Sequence, residues 1–361
     1  MVTTALSLVR LALVVDASTY GGAEFYVTQL MRHLPPRFRT SLIGTDPIPH
    51  HLSGAAEDAG VPVRIVPSVR GKFDIRGNAR MVGVLRHGHP HVVHVNMAAV
   101  TNNRHALVTA WAARRPVVAT LHIRNEIPPG LHRSLLGLAY GRLARFIAVS
   151  SDVATQLVHE LHIPEQRVTV VPNGVAVTQE TDRGRTHRPL RVGTLGRLTA
   201  QKGLDILIAC LRQLRDEGHD VELVIAGEGP DRGALETLAA GLPVRLVGFV
   251  DDVQPFLESL DLFCLPSRAE ALPFALLEAM MCGLPCVVTR VGDMADAVGD
   301  AGVVVPPNNA GLLARAIGGL LSSPTQRKEL GRLGRLRAVD HYSVEAMVHA
   351  TTRVYDEAIA G

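Results

Sequence analysis

The stretch from Phe263 to Thr289, FCLPSRAEALPFALLEAMMCGLPCVVT, constrains the chain more than any other. Two short apolar runs, Leu260 to Leu265 and Leu284 to Thr289, flank a segment in which Pro273 stands where a helix can begin. Proline is tolerated at the first helical position and poorly later. The order predicted is strand, turn, helix, strand, the building unit of a parallel sheet. Glu270 then falls in the turn and Glu278 two turns into the helix. Such a turn lies at the carboxyl edge of a parallel sheet, where ligands bind, and the helix start offers unpaired backbone N–H groups to an anion. A carboxylate on each side can accept hydrogen bonds from sugar or ribose hydroxyls. On residue types alone a plainer alternative stands, in which both glutamates decorate a helix entry that favours negative charge.

At 361 residues the chain exceeds the size at which a single core stops growing, which predicts two domains, and 47% hydrophobic residues suffice to fill both. Aromatic residues make up only 4%, against a base-stacking platform and so against a nucleic-acid partner. Cys210, Cys264, Cys282 and Cys286 form no C-x-x-C pair and have no histidine partners at zinc-finger spacing, so they read as reduced core thiols of a cytoplasmic protein. No apolar run reaches the roughly 18 residues of a membrane span. The opening MVTTALSLVRLALVVD is interrupted by Arg10 and lacks a small-residue cleavage site, which predicts a first core strand over Leu11 to Asp16 rather than a signal sequence.

Charge is divided unevenly. Residues 1–185 hold 20 Lys/Arg against 12 Asp/Glu, a balance of +8, and residues 186–361 hold 17 against 22, a balance of −5. The densest basic stretch of the first half runs through Arg70, Lys72 and Arg76. It suits an anionic acceptor or a membrane surface, which would make the protein peripheral at the inner membrane face; the alternative is a set of solvated arginines on helix faces.

In chain order, the first strand ends in Ala17 to Glu24, whose Gly21 and Gly22 let backbone approach a ligand closely, although the full G-x-G-x-x-G pattern is missing. The strand over Val117 to Leu121 ends at His122, which is placed to face a crevice, although most of the 16 histidines must be surface or structural. Gln179 to Pro189 is polar and without periodicity. The expected division is therefore a domain over 1–180, a linker over 181–189, a second domain over 190–341 and a last helix over 342–361. The second domain opens with a strand over Leu190 to Leu195, then Gly196 to Gly203 and an amphipathic helix. Thr199 is its expected N-cap, which puts Lys202 in the first turn, where the helix dipole disfavours a cation. An anion bound between Arg197 and Lys202 would explain that placement; two solvent-facing cations are the alternative. Turns at Gly227 to Pro230, with Gly229, and at Gly248 to Asp251, with Phe249 and Val250, fall at the same predicted sheet edge.

Taken together and in this order, Gly21-Gly22-Ala23-Glu24, Thr120-Leu121-His122, Pro172-Asn173-Gly174-Val175, Gly196-Arg197-Leu198 with Lys202-Gly203, Gly227-Glu228-Gly229-Pro230, Gly248-Phe249-Val250, and Glu270 with Glu278 resemble the retaining glycosyltransferases of family 4. The resemblance covers nearly the whole chain. It implies the GT-B fold, an α/β architecture of two Rossmann-like parallel-sheet domains facing across a cleft. The first domain would bind a glycan or lipid-linked acceptor and the second a nucleotide-sugar donor, with the last helix crossing back to the first domain. It implies that Arg197 and Lys202 hold the donor diphosphate, that Glu278 takes the ribose hydroxyls, and that Glu270 with the backbone after it at Ala271, Leu272 and Pro273 holds the transferred sugar. Gly22 would approach the diphosphate or sugar and His122 would lie near the reacting sugar. Catalysis would rest on His122, Arg197, Lys202 and Glu270, without metal or other cofactor. Ala271 stands where the family commonly has glycine, Gly292-Asp293-Met294-Ala295-Asp296 replaces its usual Gly-Gly-x-Pro-Glu, and His91 replaces a common aspartate.

The expected activity is transfer of a hexose from a UDP- or GDP-hexose to an acceptor hydroxyl with retention. The alternatives are a sugar-nucleotide epimerase or hydrolase of the same fold, or a binding protein without turnover. Sedimentation with anionic vesicles tests the basic patch: substitution of Arg70, Lys72 and Arg76 by alanine is expected to reduce binding, and unchanged binding would remove the patch from the membrane reading.

Overall fold

Aliphatic runs too apolar for one-sided burial predict parallel strands covered on both faces, and the computed structural model forms two such sheets. It describes residues 8–67, 75–101, 114–127, 130–141, 143–179 and 188–361. Arg70, Lys72 and residues 181–187 of the expected linker lie outside these. The chain divides into one unit of Met1–Asn173 with Val344–Gly361 and a second of Gly174–Ser343, so the residues from Gly174 onward go with the second unit rather than the first.

The first unit holds β1 (Val9–Val15), β2 (Phe38–Asp46), β3 (Val63–Pro67), β4 (Val92–Met97), β5 (Val117–Leu121), β6 (Arg145–Ala148) and β7 (Val168–Val170). Their order is β3-β2-β1-β4-β5-β6-β7 and every pairing is parallel. The second holds β8 (Leu190–Leu195), β9 (Val221–Ala226), β10 (Val244–Gly248), β11 (Leu262–Leu265), β12 (Cys286–Thr289) and β13 (Gly302–Val305) in the order β10-β9-β8-β11-β12-β13, again parallel throughout. Each sheet is α/β of Rossmann-like type, and the chain holds two of them, as the GT-B expectation requires. In each the strand order reverses beside the first strand, between β1 and β4 and between β8 and β11. Successive crossovers leave such a point toward opposite faces, so the loops there part and leave room for a ligand at the carboxyl ends.

The second core shows why the helix spacing in the sequence was informative. Leu204, Leu207, Ile208, Leu211 and Leu214 of the helix Leu204–Asp216 are at most 4% exposed and pack with Leu223, Ile225, Leu262 and Val287 from the sheet. Cys210 and Cys264 belong to the same core, all four cysteines are free and buried, and burial pushes the Cys210 thiol up to about 12.

The first core contains polar groups that had to be satisfied. Every residue of β4 is buried, including His94 and Asn96. A buried polar group without a partner costs about 1–3 kcal/mol, and His94 has two: its Nδ1 lies 2.5 Å from the Tyr355 hydroxyl and its Nε2 2.7 Å from Thr120 Oγ1. Tyr355 belongs to the last helix, Val344–Ala360, which begins two residues later than the sequence suggested. Tyr342 stays with the second unit, where its carbonyl accepts the Val175 N–H at 2.9 Å. The same helix offers Thr351 to the Tyr26 hydroxyl at 3.1 Å and Asp356 to the Arg37 guanidinium through two bonds of 2.9 and 2.7 Å.

Burial pushes His94 down to about 3. Above pH 6.5 the imidazole is neutral folded or unfolded. Below it the unfolded chain takes a proton that the folded unit refuses, so stability is lost as pH falls from 6.5 toward 3, by about 1.4 kcal/mol per pH unit from this residue. Replacing Tyr355 by Phe strips one partner from His94 and is expected to cost about 1–3 kcal/mol in urea unfolding followed by circular dichroism.

Candidate active site

In the second unit the loop after β8 runs from Gly196 to Gly203. The sequence suggested a helix capped by Thr199 with Lys202 in its first turn. Instead Ala200–Lys202 form a single 3-10 turn, Thr199 makes no cap, Gly203 turns the chain left-handed at φ 64°, and the helix starts at Leu204. Glycine is required there on two counts, the left-handed φ and the space, since a Cβ on Gly203 would lie 2.2 Å from the carbonyl oxygen of Pro266. Lys202 therefore precedes the helix instead of lying in its first turn. Its Nζ lies 2.5 Å from Glu270 Oε1, which also accepts the Ser267 hydroxyl at 2.9 Å. Both partners are withdrawn from water, with side chains 18% and 8% exposed.

Arg197, in the same loop, is exposed and has no side-chain partner among the described residues. The turn after β9 presses against this loop, since a Cβ on Gly229 would lie 2.3 Å from the Leu198 carbonyl oxygen. Phe249 and Val250 follow β10, with Phe249 51% exposed. The strap after β11 carries Glu270, then Ala271 and Leu272, which are buried, then Pro273, which stands just before the helix Phe274–Met281 rather than as its first residue. Asp293 holds this strap from below, its N–H donating to the Ala271 carbonyl at 2.8 Å.

Glu278 stands in the second turn of that helix. Desolvation raises its carboxyl to about 7, and no side chain or backbone group among the described residues compensates it. An ionisable group desolvated without a partner destabilises the fold, so its presence points to a ligand. Lys202, Glu270, Gly229 and Ala271 are thus brought together at the switch point of the second sheet, with Arg197 open beside them.

Gly21, Gly22 and His122 belong to the first unit. The Gly21 N–H donates to Glu24 Oε2 at 2.9 Å, capping the helix Gly22–His33, and burial raises the Glu24 carboxyl against the pull of its backbone hydrogen bonds. His122 is partly buried, its ring edge-on to Tyr26 with centroids 5.0 Å apart, and its Nε2 lies 2.8 Å from Asn96 Oδ1. Asn96 donates its own Nδ2 to the Ala23 carbonyl at 3.0 Å, which fixes the amide with oxygen toward the imidazole. His122 therefore donates from Nε2 and keeps Nδ1 as an acceptor. Burial pushes it down to about 3, so it is neutral at physiological pH. Arg76 is exposed at the start of the helix Ile75–Gly88.

Sequence reasoning missed Ser267, Asn96, Gln201, Asp205 and Arg268. Asn96 had a signal, a polar residue closing an apolar strand; Ser267 is a common residue type only three positions from Glu270, and Gln201, Asp205 and Arg268 have roles that exist only through contacts across 60 or more residues, as between Arg268 and Asp205, 63 apart. Among the described residues, no cluster of three or more His, Cys, Asp or Glu side chains could hold a metal ion, and no helix is long and apolar enough to cross a membrane.

Two family profiles match the chain in tandem, Glycosyltransferase Family 4 over residues 20–179 and Glycosyl transferases group 1 over residues 189–323. The chain belongs to glycosyltransferase family 4. It is a glycosyltransferase that uses sugar-nucleotide donors. It is 28% identical over 314 residues to the MMP alpha-(1->4)-mannosyltransferase of Mycolicibacterium hassiacum, covering 82% of this chain and 74% of that protein. Over 146 residues it is 36% identical to the GDP-mannose-dependent alpha-(1-6)-phosphatidylinositol dimannoside mannosyltransferase of Mycobacterium tuberculosis, a match spanning 40% of this chain and 38% of that one. The fold is similar to that of Anabaena HepE in complex with UDP and glucose, with TM-score 0.82 and 18% identity over 96% of this chain and 98% of that one.

The raised Glu278 carboxyl has a stability signature. Its contribution is fully present below the unfolded value near 4.5 and is lost as pH rises through about 7. Glu278→Gln is therefore expected to be more stable than the parent above pH 7, by up to about 3 kcal/mol, and equally stable near pH 4. Urea midpoints across that range check it, and a gap independent of pH would contradict the assignment.

Proposed function

We propose that the protein is a retaining hexosyltransferase that moves a hexose from a nucleoside diphosphate sugar to an acceptor hydroxyl. The observation that carries this reading is the pairing of Lys202 with Glu270 beside Arg197, which has no side-chain partner among the described residues. A diphosphate leaving group needs positive charge as its glycosidic bond breaks, and a hexose needs a carboxylate to accept its hydroxyls; that loop cluster offers both within 2.5 Å. In this reading Arg197 and Lys202 stabilise the departing diphosphate and no metal ion is called for. Glu270 and the backbone of Ala271 and Leu272 hold the hexose, Glu278 accepts the ribose hydroxyls, and Gly229, Phe249 and Val250 line the nucleotide side. In the first unit, His122 offers its Nδ1 acceptor to a hydroxyl, and the Gly21-Gly22 turn allows close approach of sugar or phosphate.

Retention follows from attack by the acceptor oxygen on the face from which the diphosphate leaves. The acceptor O–H bond and the anomeric C–O bond break, the new glycosidic bond forms, and the acceptor proton passes to a diphosphate oxygen. Neither Glu270 nor Glu278 acts as nucleophile. His122, neutral at working pH, serves as a hydrogen-bonding group and not as a cationic acid.

Two relatives are mannosyltransferases and one is named for GDP-mannose, so GDP-mannose heads the donor panel, followed by UDP-glucose. Thermal shift against GDP, UDP and ADP is the direct test, because a ligand at 100 times its Kd stabilises by about 2.7 kcal/mol. A shift with one nucleotide names the base. Lys202→Ala is expected to keep the fold and lower donor consumption by about 100-fold or more. Near-parental turnover in that variant would overturn the diphosphate assignment, and donor consumption without any acceptor would favour a hydrolase.

A further inference from the structure

The catalytic reading above needs Lys202 and Glu270 in contact although 68 residues separate them. A lysine ammonium ends a flexible four-carbon stem with no direction of its own, so something else must fix the two backbones that carry the pair. The strap Pro266–Glu270 and the turn Ala200–Gly203 are zipped together around one side chain. The Arg268 N–H donates to the Gln201 carbonyl at 2.7 Å, and Gln201 Nε2 returns a bond of 2.8 Å to the Ala269 carbonyl. The Arg268 guanidinium spends every nitrogen: Nη1 on the Ala200 carbonyl at 2.5 Å and on Asp205 Oδ1 at 2.9 Å, Nη2 on Asp205 Oδ2 at 2.7 Å, and Nε on Asn308 Oδ1 at 2.7 Å. Ala200 and Gln201 immediately precede Lys202, and Arg268 stands two residues before Glu270.

We propose that Arg268, clamped by Asp205, is a positioning residue that sets the Lys202 ammonium against Glu270 and thereby governs the transfer step more than nucleotide affinity. The pair is not a core element, since its side chains are 30% and 41% exposed, and a single ion pair so open to water adds little to stability. A two-pronged fork against a carboxylate instead fixes orientation, which a lysine at 268 could not reproduce. The hydrogen bonds to Arg268 hold Asp205 below the usual carboxylate range, so the clamp stays charged through the physiological pH range. Displacement of a catalytic group by about 1 Å costs on the order of 100-fold in rate.

The inference rests on the proposed roles of Lys202 and Glu270, and its test separates the two. The chain has only three lysines, Lys72, Lys202 and Lys328, so graded acetylation read by peptide mass spectrometry reports on Lys202 directly, with the exposed Lys328 as internal reference. In the parent protein Lys202, paired and largely shielded, is expected to react slowly relative to Lys328. In Arg268→Lys and in Asp205→Asn the Lys202 to Lys328 labelling ratio is expected to rise about tenfold with the melting temperature nearly unchanged. With whichever of GDP-mannose or UDP-glucose is consumed, kcat is expected to fall about 10- to 100-fold while the Kd of the matching GDP or UDP changes less than about threefold. An unchanged labelling ratio in both folded variants overturns the proposal, as does loss of fold in both, which would make the pair structural. Failure of the parent to consume either donor would instead count against the proposed function and leave the labelling result to decide the positioning role.

Discussion

The chemistry of the second unit depends on β8 and β11 lying side by side with their connections departing to opposite faces. That arrangement is forced by burying both faces of a parallel sheet, because right-handed crossovers from the first strand must cover one face and then the other. It leaves the loop after β8 and the strap after β11 as neighbours with no helix between them. The approach is close enough that a Cβ on Gly203 would lie 2.2 Å from the Pro266 carbonyl oxygen, so the left-handed turn between Lys202 and the helix has to be glycine.

The first unit solves a different problem. Its central strand β4 carries polar side chains where the sheet is most deeply buried, and each is satisfied by a named partner. The His94 ring ties β4 to β5 through Thr120 and to the last helix through Tyr355, while Asn96 ties the end of β4 to His122 and to the first turn of the helix Gly22–His33. A network of this kind rigidifies only when complete. Its consequence for chemistry is that the tautomer of His122 is set by an amide whose own orientation is set by the backbone at Ala23. The last helix, although separated from the strands it serves by the whole second unit, completes this network.

The two units carry unequal burdens. In the second, Glu270 is compensated by Lys202 and Ser267, but no group among the described residues compensates Glu278. A fold optimised for stability alone would replace Glu278 with an apolar residue; keeping a desolvated carboxyl there makes sense as a site held ready for hydroxyl donors. The family resemblance assigned the same residue to ribose, and the desolvation is an independent physical reason to regard it as functional.

Much of this was legible in the sequence, because the signals were local. Aliphatic runs followed by glycine turns and helical spacing marked out the α/β class, the strand after strand alternation, and the sheet edge at which Lys202 meets Glu270. Ordered motifs such as Gly196-Arg197-Leu198 and the two glutamates eight residues apart pointed to the family. Other features needed the tertiary structure. The helical register around Lys202 was misread because the chain turns left-handed at Gly203, packed against a Pro266 carbonyl 63 residues away that leaves no local trace. Arg268 and Asp205 look like ordinary surface charges until the chain crossings bring their hydrogen-bonding atoms within 2.7 Å. Propensity and periodicity act over a few residues and so determine elements; the pairing of Lys202 with Glu270, the clamp beside it and the tautomer of His122 depend on contacts between elements, which only packing decides.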